Sequence, residues 1–129
     1  MMTFDYTVSS DKPIETLLTD LEASLKDIQF GVLWPFNVKE TLQNKGQDFD
    51  QDYYIYEVCN PPLAKKLLDR SNLAGAFLPC KLVIYESGDK RYITLPKPTK
   101  QFTMLDDPEI HQLAEEIEVK LIDALHKTV

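Results

Sequence analysis

The chain has 129 residues, of which 43% are hydrophobic and 27% are charged, and its formal net charge is −7. A chain of this length buries about two-thirds of its unfolded surface, so we expect residues 1–129 to form a single domain. The acidic charge repels phosphate, which argues against nucleic acid and anionic membranes as partners. No apolar run approaches the roughly 20 residues of a membrane span. The start lacks a signal core and two cysteines are too few for a disulfide framework, which together indicate a cytoplasmic protein.

The first part of the chain predicts a strand, a helix and a second strand. Apolar and polar residues alternate over residues 3–9, as in a half-buried strand. Leucines at helical spacing follow Pro13 and predict an amphipathic helix, whose apolar face must cover a sheet. A second strand is expected over residues 28–34, and Pro35 is expected to end it.

The middle of the chain has the pattern of a capping box at Asn37-Val38-Lys39-Glu40. This pattern predicts a short helix from Val38 to about Asn44, ended by Gly46. A third strand is expected over residues 53–58.

The last part of the chain predicts a helix that begins at Pro61, with Leu63, Ala64, Leu67 and Leu68 on its apolar face. Two strands follow, over residues 81–86 and 91–95, and Ser87-Gly88-Asp89 forms the hairpin turn between them. Pro96 and Pro98 predict an irregular link after these strands, and a final helix is expected to begin at Asp107-Pro108.

These elements predict an α+β fold in two layers, with helices packed on one face of a mostly antiparallel sheet of about five strands. The third and fourth strands carry apolar residues on both faces; Ile55 and Val83, for example, point away from their apolar neighbours along the strand. A two-layer fold leaves one of these faces without helices, and an apolar face needs a cover. A second subunit is the first candidate and a small apolar ligand the second; the alternative is a sheet with helices on both faces.

Three segments carry a resemblance to a known family. They are Asn37-Val38-Lys39-Glu40-Thr41-Leu42, then Cys59-Asn60-Pro61-Pro62-Leu63-Ala64, then Leu78-Pro79-Cys80 leading into Val83-Ile84-Tyr85-Glu86. In order and spacing they resemble the DUF302 family, also called TT1751-like, over nearly the whole chain. The resemblance implies a compact α+β domain that forms a dimer, and it implies no reaction. The family usually has an acidic residue just before the Val-Lys-Glu-Thr-Leu helix, where this chain has Trp34-Pro35-Phe36-Asn37.

The two cysteines are the first candidates for chemistry. Cys59 ends the third strand and Cys80 begins the fourth, and Cys59 precedes a helix start whose N–H groups could lower a thiol pKa. A helical crossover between these strands would make them parallel, which places the two cysteines at opposite edges of the sheet. The alternative is that both thiols are small apolar residues buried at turns.

Other ionisable residues give weaker signals. His111 and His126 lack the spacing of metal ligands, so no metal site or cofactor is expected. Glu57 and Glu86 lie in strands, where burial would raise the pKa of a carboxyl and suit it to acid–base chemistry. The alternative is that they are exposed or pair with Lys81 and Arg91.

Two functional hypotheses follow, and whether the protein is an enzyme stays open. The first is a non-enzymatic homodimer that binds a small ligand or a protein partner in a pocket near Phe77, Pro79 and Cys80. The second is a thiol-dependent redox or sulfur-handling protein that uses Cys80 with Cys59 in support. The candidate site residues are Cys59, Asn60, Pro61, Phe77, Pro79 and Cys80.

Overall fold

The computed structural model describes residues 3–129. The α-helices are α1 (Ile14–Asp27), α2 (Val38–Asn44), α3 (Pro61–Arg70), α4 (Pro98–Gln101) and α5 (Pro108–Thr128). The strands are β1 (Asp5–Ser10), β2 (Gly31–Asn37), β3 (Tyr53–Cys59), β4 (Cys80–Ser87) and β5 (Lys90–Pro96). Short 3-10 helices span Asn72–Phe77 and Phe102–Met104.

The five strands form one sheet in the order β1-β5-β4-β3-β2, and every neighbouring pair is antiparallel. The predicted α+β fold with a mostly antiparallel sheet is therefore confirmed. The parallel arrangement expected for β3 and β4 is wrong. Val58 pairs with Cys80, so the end of β3 lies beside the start of β4. The connection between these strands consists of α3 and a 3-10 helix. It leaves the sheet at the end of β3 and returns at the same end, where β4 begins.

The helices cover one face of the sheet. α5 packs against α1, α3 and α4, and it also contacts β1 and β5. The covered face is lined by fully or almost fully buried side chains of the three inner strands: Tyr56, Val58, Leu82, Ile84, Ile93 and Leu95. They join the apolar faces of the helices in one hydrophobic cluster, which is the core of the fold.

The helix starts follow the local sequence. Asn37 accepts a hydrogen bond from the backbone N–H of Glu40 at 3.0 Å, and Gly46 ends the helix region with φ of 80°, as predicted. Asp107 accepts from the N–H of Glu109 at 2.9 Å and begins α5. Each of these caps satisfies a backbone donor that the first helical turn leaves free.

β2 is an edge strand, and it differs from the prediction at both ends. α1 runs to Asp27, and Gln29 has φ of 65°, so the chain turns before β2 begins at Gly31. β2 then continues through Pro35 to Asn37. A proline is tolerated there because only one side of an edge strand is paired. The pairing with β3 is also irregular between Val32 and Trp34.

Two smaller expectations also differ. Leu68 was expected on the buried face of α3 but is 43% exposed, because the helix turns Leu63 and Leu67 towards the core instead. The segment after Pro96 was expected to be irregular and instead forms α4 and a 3-10 helix, which bury Phe102 completely.

Candidate functional site

The face of the sheet opposite the helices is here called the open face. Residues directly paired across an antiparallel sheet point to the same side. The pairing therefore places on this face Trp34 and Phe36 of β2, Tyr53, Ile55 and Glu57 of β3, Lys81, Val83 and Tyr85 of β4, and Tyr92 and Thr94 of β5. On these four strands most of the side chains are apolar or aromatic, whereas the edge strand β1 adds the polar residues Asp5, Thr7 and Ser9 to the same face. In the chain alone all of these side chains are half-buried or exposed. The predicted apolar second face is present.

Aromatic side chains are stacked across the open face. The rings of Tyr53 and Tyr85 lie 5.8 Å apart, and those of Tyr85 and Tyr92 lie 5.4 Å apart, so three strands carry one row of tyrosines. On β2, the rings of Trp34 and Phe36 are parallel and 4.8 Å apart. Such stacks hold large flat side chains in fixed positions, which is typical of contact surfaces.

A shallow groove of about 410 Å³ crosses the open face between the tyrosine row and β1. Val83 and Tyr85 form its floor, and Phe4, which is 67% exposed, stands at its side. The groove is open along its length, so it suits a partner surface better than an enclosed small molecule.

A second depression, of about 250 Å³, lies at one end of the open face and is called the rim pocket. Phe77, Leu78 and Pro79 form one wall, and Glu57 and Lys81 form another. The wall is shaped by the 3-10 helix, whose first turn is capped by Ser71, and by a cis peptide bond between Leu78 and Pro79. Phe77 is held from behind by the ring of Phe102, 5.3 Å away.

The two cysteines line a separate cavity where β3 ends and β4 begins, and Cys80 points to the helix side of the sheet. This cavity has only about 10 Å³, and Asn60 and apolar residues such as Phe30, Leu63 and Ile117 complete its wall. Its volume is about that of one water molecule, so it cannot hold a ligand. The expected single pocket near Cys80, Phe77 and Pro79 is thus divided, because Cys80 faces the core.

Asn60 and Pro61 serve the local structure. The Asn60 side chain is buried and accepts a hydrogen bond from the backbone N–H of Leu63 at 3.1 Å, which caps α3. Pro61 occupies the first helical position, where a missing N–H has no cost. Neither residue contributes to the rim pocket.

Burial raises the pKa of both thiols. The pKa of Cys80 rises to about 12, first because the thiol is desolvated and then because Cys59 lies close by. Burial alone raises the pKa of Cys59. The helix start near Cys59 was expected to lower a thiol pKa, and the direction found is the opposite. A raised pKa keeps the sulfur protonated and unreactive at neutral pH.

We therefore expect slow alkylation of both cysteines in the native protein. At pH 7, iodoacetamide should modify neither thiol as fast as it modifies free glutathione, since the thiolate is the reacting species. In denaturant, both cysteines should react at the glutathione rate. Mass spectrometry of timed samples measures both rates, and a native cysteine that outpaces glutathione would support the thiol-dependent hypothesis.

The strand carboxylates behave differently from each other. Glu86 pairs with Arg91 at 2.7 Å, which is the structural alternative stated for it. Glu57 is directly opposite Lys81 in the sheet, but within residues 3–129 neither side chain takes part in an ion pair or a side-chain hydrogen bond. A free carboxylate and a free ammonium group therefore lie side by side at the end of the open face.

Both histidines belong to α5, and each ring nitrogen has a hydrogen-bond partner. The ring nitrogen of His111 is 2.6 Å from the carbonyl oxygen of Leu105, and that of His126 is 2.5 Å from the hydroxyl of Tyr6. Across residues 3–129, no three metal-binding side chains converge. In the same described part of the chain, no helix combines the length and apolar character needed to cross a bilayer.

Comparison with known proteins identifies the family. The family described as "Domain of unknown function DUF302" matches residues 6–128. The chain belongs to the DUF302 family. A solved structure, described as an uncharacterized conserved protein DUF302 from Bacillus stearothermophilus, is 42% identical, with a TM-score of 0.95. The match covers 99% of this chain and 100% of that one. None of the curated proteins matches this chain.

Within this DUF302 chain, the aromatic row of the open face was not among the predicted site residues. Tyr53, Tyr85 and Tyr92 come from three strands, and only the register brings them together. In the sequence, the second apolar face of strands β3 and β4 predicted a contact surface. It did not predict which residues of the other strands belong to that surface. The segment Trp34-Pro35-Phe36-Asn37 also contributes to this face, since Trp34 and Phe36 form the second aromatic stack.

Proposed function

We propose that this DUF302 protein is a non-enzymatic homodimer that binds a small ligand or a protein partner at the rim pocket. The observation that carries the proposal is the apolar and aromatic open face, which no helix of the described residues 3–129 covers. Trp34 is 53% exposed in the single chain, although its ring is stacked and held in place. Large contiguous apolar surfaces on a small protein mark contact sites.

Charge favours a second copy as the cover. The open-face positions of the five strands include two acidic residues, Asp5 and Glu57, and two basic residues, Lys81 and Lys90. These charges cancel, whereas the whole chain carries −7. Two copies that meet through this neutral surface keep their acidic surfaces apart, which limits the repulsion between them.

The rim pocket supports the binding part of the proposal. It combines the apolar wall of Phe77 and Pro79 with the charged side chains of Glu57 and Lys81. An apolar wall with a few polar groups is typical of small-molecule sites. The pocket lies at the end of the open face, so a dimer would place it beside the boundary between the copies.

A matched pair of valine substitutions tests the dimer. Val83→Lys places a charge at the centre of the open face, whereas Val119→Lys places the same charge on α5, where Val119 is 68% exposed. An unpaired charge buried in an interface costs several kcal/mol, about 3–5 by analogy with broken buried pairs. We expect the wild type and Val119→Lys to sediment at twice the 14.9 kDa chain mass, and Val83→Lys at the single mass.

Sedimentation equilibrium measures the three masses, and circular dichroism checks that Val83→Lys is folded. A wild type that stays at the single mass up to high micromolar concentration would refute the dimer. In that case the cover of the open face would be a small apolar ligand, and an apolar fluorescent probe should bind the wild type but not Val83→Lys.

A further inference from the structure

The register of the sheet makes the open face complementary to itself. Glu57 lies beside Lys81 on the neighbouring strand, and Ile55 lies beside Val83 in the same way. Tyr53 lies beside Tyr85 one step further along. Of these three neighbouring pairs on the open face, one is aliphatic, one is aromatic, and the third joins two side chains of opposite charge.

A two-fold axis in the interface and parallel to the strands keeps every residue at its own height along the sheet. If the axis runs between β3 and β4, it places the partner's β4 over β3 and the partner's β3 over β4. Glu57 then faces the partner's Lys81. Ile55 faces the partner's Val83 and Tyr53 faces the partner's Tyr85, and each contact occurs twice, as a symmetric interface requires.

We propose that two copies pack face to face about this axis, so that Glu57 of each copy pairs with Lys81 of the other. This inference rests on the proposed dimer and specifies its geometry. It also gives a role to the two charges that find no partner within the described chain. Carboxylate–ammonium pairs at an interface fix register and orientation more than they add affinity.

Other positions of a parallel axis fit less well. An axis along β4 would face Lys81 with the partner's Lys81, and an axis along β3 would face Glu57 with the partner's Glu57. Like charges opposed across an interface are unfavourable. Only the position between β3 and β4 pairs opposite charges while keeping the apolar residues of both strands in contact.

The outer strands also fit this arrangement. Phe36 pairs in the sheet with Ile55, and Val83 pairs with Thr94, so all four lie at one height. The axis consequently brings β2 over the partner's β5, with Phe36 above Thr94. Sheets packed face to face are aligned within about 30°, so four strands of each copy overlap near the axis.

The overlapping area is sufficient for a weak specific dimer. Four strands at about 4.8 Å spacing and seven residues at about 3.4 Å each span roughly 19 by 24 Å. The flat area is therefore about 900 Å² for both copies together, before the relief of the side chains is counted. This is below the roughly 1,200 Å² at which stable specific interfaces begin and within the range of weak, transient ones.

Charge reversal tests the pairing. Glu57→Lys faces two lysines with each other across the axis, and Lys81→Glu does the same with two glutamates. We expect each single variant to weaken the dimer at least tenfold. An equimolar mixture of the two variants should form heterodimers, because both of its contacts pair opposite charges, and the double variant Glu57→Lys/Lys81→Glu should dimerise like the wild type.

Native mass spectrometry with one chain carrying a mass tag counts homodimers and heterodimers directly. Glu116→Lys and Lys66→Glu, which reverse charges at exposed positions on the helix side, serve as controls and should leave the dimer unchanged. The mixture is decisive because each variant keeps two like charges side by side at positions 57 and 81 within its own chain. Only the contacts between the two copies change, from like charges to opposite charges.

The outcomes separate this inference from the proposed function. A monomeric wild type would refute both. A dimer that tolerates the single reversals, or a mixture that forms no heterodimer, would overturn the axis between β3 and β4. The Val83→Lys result would then show whether the dimer still uses the open face.

Discussion

Replacing Phe102 with alanine should lower the free energy of unfolding by about 3–5 kcal/mol. Phe102 is completely buried under α5, and its ring meets that of Phe77 edge to face at 5.3 Å. The substitution removes a large apolar side chain and leaves a cavity that short, proline-bounded elements close poorly. Since small domains are stable by about 5–15 kcal/mol in total, the loss is a large fraction.

Met104 provides the matched control, because it lies in the same 3-10 helix and is 80% exposed. Met104→Ala should change stability by no more than about 0.5 kcal/mol. Urea unfolding followed by circular dichroism gives both values, and an unchanged m-value shows that only stability differs. A loss below 1 kcal/mol for Phe102→Ala would mean that residues 98–104 are not packed as described.

The second large effect concerns alkaline pH. The pKa of Cys80 is about 12 in the folded chain because the thiol is buried, against 9.0 for an ordinary cysteine. Below pH 9 both states hold the proton, and stability is unaffected by this group. Above pH 9 the unfolded state loses the proton first, so stability falls as pH rises towards 12. The loss attributable to Cys80 should reach about 2–3 kcal/mol by pH 11.

Cys80→Ala isolates this contribution. The variant should be somewhat less stable than the wild type at pH 8, and the difference should shrink or reverse by pH 11, because alanine has no proton to lose. Tyr56, whose pKa burial also raises to about 12, titrates in both proteins and cancels from the comparison. Parallel unfolding curves for wild type and Cys80→Ala across pH 8–11 would contradict the burial of this thiol.

Local patterns in the sequence predicted most of the fold. Alternation over β1, leucine spacing in α1 and the cap at Asn37 each determine structure within a few residues, and each is confirmed. The relation between β3 and β4 could not be predicted this way. A helix between two strands permits either direction, and only the packing of α3 on α5 decides where the chain returns.

The candidate site was only partly predictable for the same reason. Cys59 and Cys80 stand at strand ends in the sequence, but the side of the sheet that each faces depends on the register. Phe77 and Pro79 do line the rim pocket, while Cys80 does not, because alternation along β4 turns it with Leu82 towards the core. The second apolar face was visible because period-two alternation is local, whereas its tyrosine row depends on three paired strands.

The proline and the irregular pairing in β2 restrict how copies of the chain can associate. An outermost strand with regular, free backbone groups can recruit another strand, and that one a further strand, which leads to fibres. Pro35 has no backbone N–H to donate to an added strand. The irregular pairing between Val32 and Trp34 also bends β2, which makes it a poorer partner for a further strand. Association beside β2 is thereby discouraged, even though Leu33 and Trp34 are exposed there. In the proposed dimer, by contrast, each sheet covers the open face of the other, which leaves no second open face for a third chain.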